Sequence, residues 1–264
     1  MKTTATKNTA IKNANASARR ISSAATKKAA PPPRTRKATT ALASVPGVTG
    51  AVLTAPVSMI GFDTSGSIDT AANAAYLASC GYKFAIRYVL CQGGLAVKPL
   101  TSAEASRLRA AGLAIGLIQA IPNPANITAA NGTRDGAYAA SQAKTLGYPP
   151  GCVLWFDFEG GSFPFDNVLI AYLNNWCLAV QGAGYPAGLY NGPQNALNGQ
   201  QIMQLIFPHY WKADSITNDP SRGYQIKQIT GTTNVPGSGT AIDVDMVFMD
   251  SKGDLPTMWA AQAA

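Results

Sequence analysis

From residue 58 to residue 248 the chain alternates between short apolar, β-rich runs and helix-like segments that stop at glycine, and few folds accommodate that rhythm. "SMIGFD" (58–63) reads as a strand, and "IDTAANAAYLASCG" (68–81) as a helix capped by Asp69 and stopped by Gly81. "YKFAIRYV" (82–89) is a second strand. "TSAEASRLRAAG" (101–112) is a helix with a Thr101/Glu104 capping box, "LAIGLIQA" (113–120) a strand, and 133–147 a helix ending at Gly147. "CVLWFDFE" (152–159) is the fourth strand. The second half continues with a helix at 165–182, strand 187–191, a helical segment at 193–206, and strands 209–214, 224–230 and 241–248. Strands alternating with helices imply parallel βαβ units. Eight of them predict a single eight-stranded β/α barrel of the TIM type, with irregular later repeats; an open doubly wound sheet is the alternative. The expected domain spans 58–250, preceded by a tail at 1–57 and followed by a C-terminal extension at 251–264.

Charge separates the tail from the rest. Residues 1–60 hold ten Lys/Arg and no acid, leaving eleven basic against thirteen acidic residues elsewhere, a net of −2. The first 50 residues also lack any aromatic side chain, so they are expected to be disordered or a processed leader. A solvated leader or linker is the favoured role, and such charge is suited to anionic surfaces; a nucleic-acid-binding arm is the rival, while no specific nucleic acid is expected for the barrel. Arg19-Arg20 resembles a twin-arginine pair, and the acid-free basic composition also fits a transit peptide. No apolar stretch reaches the roughly 18 residues of a membrane span.

Cys80, Cys91, Cys152 and Cys177 show no metal-ligand spacing, and His209 is the one histidine. A zinc site or a His-dependent triad is therefore not expected, and no cofactor or metal is assigned. The chemistry points instead to carboxylates. In "LWFDFEGG" (154–161) Asp157 and Glu159 interrupt an apolar strand at its end, and residues i and i+2 face the same side. Asp63 ends the first strand, and Asp243 and Asp245 lie in the last, which a closed ring sets beside the first. Clustered carboxyls raise one another's proton affinity, the division of labour that glycoside hydrolysis needs. A divalent cation held by the same oxygens is the second choice. Taken singly, any of these acids has a structural explanation, such as pairing with Arg87. Phe62, Tyr88, Trp155, Phe158, Tyr190, Tyr210 and Trp211 flank the strand ends and suit sugar stacking, and Gln119, Asn191 and Gln228 are candidate partners for hydroxyls.

"GFDTSG" (61–66), "YKFAIRYV" (82–89), "AAGLAIGLI" (110–118), "VLWFDFEG" (153–160), "AGLYNG" (187–192), "YWKAD" (210–214) and "IDVDM" (242–246) occur in the order seen in family 25 glycoside hydrolases, the lysozyme-type muramidases. The chain resembles still more the related glycoside-hydrolase-like domain of unknown function, through the "RY" of strand two and "LTSAEA" (100–105). This resemblance implies Glu159 as general acid, Asp157 as its partner carboxylate, and Asp63 and Asp243 as the first- and last-strand aspartates. Arg87, Tyr88, Gln119, Tyr190, Asn191, Trp211 and Asp245 are then the expected substrate-binding residues. It implies a polysaccharide or peptidoglycan substrate, and a protein secreted or delivered to the cell envelope; cytoplasmic storage until release, or association with a virion, is the alternative. A non-catalytic glycan-binding barrel and an envelope or virion structural protein are the rival functions.

Overall fold

The computed structural model describes residues 50–94, 96–161, 163–216, 223–235 and 240–262. The expectations for residues 1–49 of the tail lie outside the described residues.

In chain order the elements are β1 (Val52–Thr54), β2 (Ile60–Thr64), α1 (Ala71–Ser79), β3 (Phe84–Val89), α2 (Ser102–Ala110), β4 (Ala114–Gln119), α3 (Ala129–Leu146), β5 (Leu154–Phe158), α4 (Asn167–Gly182), β6 (Ala187–Asn191), α5 (Gly199–Ile202), β7 (His209–Lys212), β8 (Ile226–Asn234), β9 (Ala241–Val247) and β10 (Thr257–Trp259). Strands β2 to β8 pair in sequence and in parallel, and β9 closes the ring against both β8 and β2. The result is the expected closed eight-stranded barrel with helices between strands. Its last strand differs from the parallel expectation. β9 runs antiparallel to both neighbours; it begins only seven residues after the end of β8, and a parallel return needs a crossover of a dozen or more residues.

Local signals explain most boundaries. Thr101 caps α2 by accepting the Glu104 N–H at 3.1 Å, and Gly147 ends α3 in the left-handed conformation at φ 80°. Two details differ from the sequence reading. Thr70 caps α1, while Asp69 accepts from the Ser67 hydroxyl instead. The Glu104 side chain does not complete the capping box, since it is drawn to Arg87. The helix expected over 193–206 shrinks to the four residues of α5, since "GPQNALNG" just before it is rich in turn formers.

Strand parity divides the core into two layers. Outward-facing Leu117, Leu154, Phe156, Leu189 and their neighbours pack under Leu173, Trp176 and Cys177 of α4 and the other helices. Inward-facing Phe84, Ile86, Ile118, Trp155, Trp211, Ile226 and Val247 fill the barrel itself. β1 and β10 were not expected, being only three residues each. They pair with each other, β10 reaches β4 through Trp259 and Ile115, and buried Ala55 and Met258 join the inner layer. The segments flanking the expected barrel thus add to its core.

Candidate active site

The same parity that buries Trp155 inside the barrel carries Asp157 and then Glu159 up the inner wall of β5. Tyr88 follows Phe84 and Ile86 on β3, Tyr190 stands on β6, and Gln228 follows Ile226 on β8. On the remaining wall Asp63 of β2 is the register partner of Asp243 of β9. Because β9 runs downward, Asp243 sits near its start, which is why it meets the end of β2.

These side chains surround a cavity of about 170 Å³ at the end of the barrel where β2 to β8 terminate. Among the described residues it is lined by Asp63, Thr64, Ser65, Tyr88, Glu159, Tyr190, Gln228, Thr232, Ala241, Ile242 and Asp243. A larger groove of about 580 Å³ lies between α3 and α4; among the described residues Lys144 is its one charged lining residue and no carboxylate lines it. The acid chemistry therefore resides in the smaller, polar cavity.

Hydrogen bonds join the walls. The Gln228 amide donates from Nε2 to Asp63 Oδ2 at 2.9 Å and accepts at Oε1 from the Tyr190 hydroxyl at 3.0 Å. Below them the Trp211 indole N–H donates to Asp245 Oδ1 at 3.0 Å, and the Tyr190 and Trp211 rings lie 4.4 Å apart. The Tyr88 hydroxyl reaches Asp157 Oδ2 at a long 3.5 Å. Among the described residues, Asp157 Oδ1 and Asp243 Oδ1 are buried with no hydrogen-bond partner.

Burial dominates the electrostatics. It pushes Asp63 up to about 7; the Gln228 amide opposes this, and the negative charges of Asp243 and Glu159 reinforce it. Glu159 is raised first by burial and then by the charge of Asp243, while hydrogen bonding from the Tyr190 side chain acts in the opposite direction. Asp157 is held well above the usual carboxylate range by burial, then by Glu159 and Asp63. Asp245, fully buried, is raised by burial and then by Asp63. The cluster thus keeps protons that isolated carboxylates lose. For Asp157 this departs from the ionised partner that the resemblance implies. Among the described residues no group of three or more His, Cys, Asp or Glu is arranged to hold a metal ion.

The eleven residues expected from the sequence to be catalytic or substrate-binding fall into three groups. Asp63, Tyr88, Glu159, Tyr190 and Asp243 line the cavity. Asp157, Trp211 and Asp245 lie buried among the inward-facing side chains and are not part of that lining. Arg87, Gln119 and Asn191 point the other way, into the layer beneath the helices. Arg87 is fully buried, donating from Nε to Glu104 Oε1 at 2.7 Å, from Nη1 to the Thr64 carbonyl, and from Nη2 to the Lys98 carbonyl at 3.1 Å. Gln119 accepts the Trp176 indole N–H and donates to the Leu90 and Asp135 carbonyls. Asn191 holds the turn at Leu197 and donates to the Tyr224 hydroxyl. All three are displaced by one residue from an inward position, and a one-residue step in a strand changes face. Phe62, Phe158 and Tyr210 likewise belong to the outer layer, so Tyr88 and Tyr190 are the aromatic residues of the described cavity wall.

Sequence reasoning did not pick out Thr64, Ser65, Thr232, Ala241 or Ile242. Thr64 and Ser65 follow directly on Asp63, a signal that was available. Thr232 arrives through the irregular register between Gln228 and Thr233, which no local pattern announces. Gly192 is a further contributor. A Cβ there would fall 2.3 Å from Glu159 Cβ and 2.8 Å from Tyr190 Cε1, so glycine makes the space in which Glu159 stands.

A family model described as the Rv2525c-like, glycoside hydrolase-like domain matches residues 75–249. The chain belongs to that family. Among solved structures, the Rv2525c-like fold is seen in the Tat-secreted protein Rv2525c of Mycobacterium tuberculosis in complex with L-tartrate, 18% identical, with a TM-score of 0.57 over 73% of this chain and 96% of that one. The catalytic domain of endolysin ply40 from bacteriophage P40 of Listeria monocytogenes is 15% identical, with a TM-score of 0.51 over 74% of this chain and 95% of that one. The modular autolysin LytC from Streptococcus pneumoniae, solved in complex with a synthetic peptidoglycan ligand, is 14% identical, with a TM-score of 0.51 over 72% of this chain and 47% of that one. These likenesses establish a fold common to the Rv2525c-like family, an endolysin and an autolysin. No curated protein matches the chain in sequence.

Proposed function

We propose that this chain is a glycoside hydrolase acting on an N-acetylated cell-wall glycan of the peptidoglycan type, outside the cytoplasm or at the envelope. The observation that carries the reading is the convergence of Glu159, Asp63 and Asp243 on one small polar cavity, with Asp157 on the same inner wall. Burial and the charge of Asp243 favour the protonated form of Glu159, the state a general acid needs. Glu159 donates its proton to the glycosidic oxygen, and the charge on Asp243 stabilises the positive charge that develops on the sugar. Asp63, held by Gln228, positions a hydroxyl or the attacking water. Asp157, buried and neutral, keeps the proton pool of the wall rather than supplying charge. The likeness to the catalytic domain of an endolysin and to an autolysin solved with a synthetic peptidoglycan ligand supports the substrate class.

One observation favours a second reading, a barrel that binds glycan without cleaving it. Asp157 is 2% exposed with one oxygen unpaired, which withholds charge from the carboxyl nearest Glu159 in sequence. Release of reducing ends from purified peptidoglycan by the full chain, with and without a chelator, separates the readings. Turnover in chelator supports the hydrolase, binding without turnover supports the lectin-like barrel, and turnover abolished by chelator points to a cation site.

A further inference from the structure

The outward face of β3 carries a charge between the apolar Ala85 and Val89. That residue, Arg87, is the register partner of Thr64, which follows Asp63 on β2 and lines the cavity. Its buried guanidinium is spread over three acceptors: Nε donates to Glu104 Oε1 at 2.7 Å, Nη1 to the Thr64 carbonyl, and Nη2 to the Lys98 carbonyl at 3.1 Å. Glu104, in the first turn of α2, also accepts the Ile68 N–H at Oε1, at 2.9 Å. The pair therefore grips both ends of the 64–68 turn, and Lys98 donates its own N–H to the Ser65 carbonyl at 3.2 Å. On the cavity side the same turn is latched to the start of β9. The Thr64 hydroxyl donates to the Ala241 carbonyl at 2.7 Å and accepts the Gly66 N–H at 3.0 Å, and the Thr240 hydroxyl donates to the Ser67 carbonyl at 2.9 Å.

We infer that Arg87 and Glu104 are positioning residues for the candidate active site: from behind the barrel wall they fix the turn that carries Thr64 and Ser65 into the cavity lining, and with it Asp63 opposite Asp243. The inference deepens the proposed function and rests on it wherever turnover is measured. Stability alone does not call for a buried ion pair, since well-packed apolar residues in its place often leave a fold as stable or more so. An apolar pair cannot hold two carbonyls and an N–H in fixed directions, whereas a planar guanidinium and its carboxylate do. The groups held are the Thr64 and Lys98 carbonyls and the Ile68 N–H, each in the turn or in the segment bonded to it. Neither Arg87 nor Glu104 lines the cavity, so both act through position rather than contact. They come from "RY" and "LTSAEA", two sequence motifs that meet in this one contact.

Amide hydrogen exchange on the full chain reads the turn without turnover. The Gly66 amide, bonded to the Thr64 hydroxyl rather than to either member of the pair, reports on the turn. The Gly192 amide, bonded to the Phe158 carbonyl at 3.0 Å on another wall of the mouth, is the reference. The double variant Arg87→Met with Glu104→Leu leaves neither charge of the pair buried alone, so its stability is expected to lie near that of the wild type. Its Gly66 amide should nevertheless exchange about tenfold faster or more, with Gly192 unchanged. On purified peptidoglycan its kcat should fall by about tenfold or more, because Asp63 is no longer held in place. A pair with a merely structural role predicts that exchange and kcat return together with stability. Wild-type Gly66 exchange in the stably folded double variant overturns the inference, and so does faster exchange with an unchanged kcat. Where the double variant melts well below the wild type, Arg87→Lys decides by the same two readouts, since its ammonium keeps the charge beside Glu104 but lacks the fork. A wild type that cleaves no glycan contradicts the hydrolase reading, and Gly66 exchange then decides by itself whether the pair holds the turn.

Discussion

Asp63 at the end of β2 and Asp243 near the start of β9 are register partners across an antiparallel seam of an otherwise largely parallel barrel. Burial first, with the charge of Asp243 adding to it, pushes Asp63 up to about 7. Asp243→Asn removes the neighbouring charge, so the Asp63 titration should move down. A carboxyl-¹³C aspartate titration of the variant checks the direction.

The raised carboxyls make stability depend on pH. An acid whose folded-state value lies above its unfolded one contributes stability at low pH and loses it as pH rises through the folded value. For Asp63 that window runs from about 4, the unfolded value, to about 7, and the raised Asp157, Glu159 and Asp245 act in the same sense. The protein should therefore melt higher at pH 5 than at pH 8. Asp63→Asn should raise the pH 8 melting temperature by about 3 °C or more while reducing activity. Thermal unfolding at the two pH values tests this.

Arg87 is the clearest reassignment. Its guanidinium and Glu104 form an ion pair in the outer layer, with exposures of 0% and 2%, and it also binds the Thr64 carbonyl beside the cavity. Arg87→Met leaves Glu104 buried and uncompensated, at a cost of about 3 kcal/mol or more. Adding Glu104→Leu should restore much of that loss. A substrate-binding role instead predicts unchanged stability in the single variant and no rescue in the double, so denaturant melts of the three chains decide.

How much of this was legible follows from which strands have one informative face. In "LWFDFEGG" the i, i+2 spacing puts Asp157 and Glu159 on one side whichever side faces in, and counting eight strands set Asp63 beside Asp243. Arg87, Gln119 and Asn191 were placed one residue off because β3, β4 and β6 are buried on both faces, so hydropathy does not say which parity is interior. The antiparallel turn of β9 was readable from its short link to β8. β1 and β10 were not, because three residues carry no period and owe their conformation to each other and to β4.

Gly192 carries a steric prediction. Alanine there drives its Cβ into Glu159 and the Tyr190 ring, and displacing a reacting group by a fraction of an ångström lowers turnover by about tenfold or more. Gly192→Ala should keep a barrel-like circular dichroism spectrum while losing activity, whereas wild-type rates would show that Glu159 has other room.

The most direct measurement compares wild type with Glu159→Gln on purified peptidoglycan, scoring both reducing-end release and glycan binding. Glutamine keeps the shape and hydrogen bonding of Glu159 but has no proton to give. The account predicts turnover by the wild type and a loss of about 100-fold or more in the variant, with binding close to wild type. Equal turnover by the two chains would contradict Glu159 as the acid, and with it the central claim.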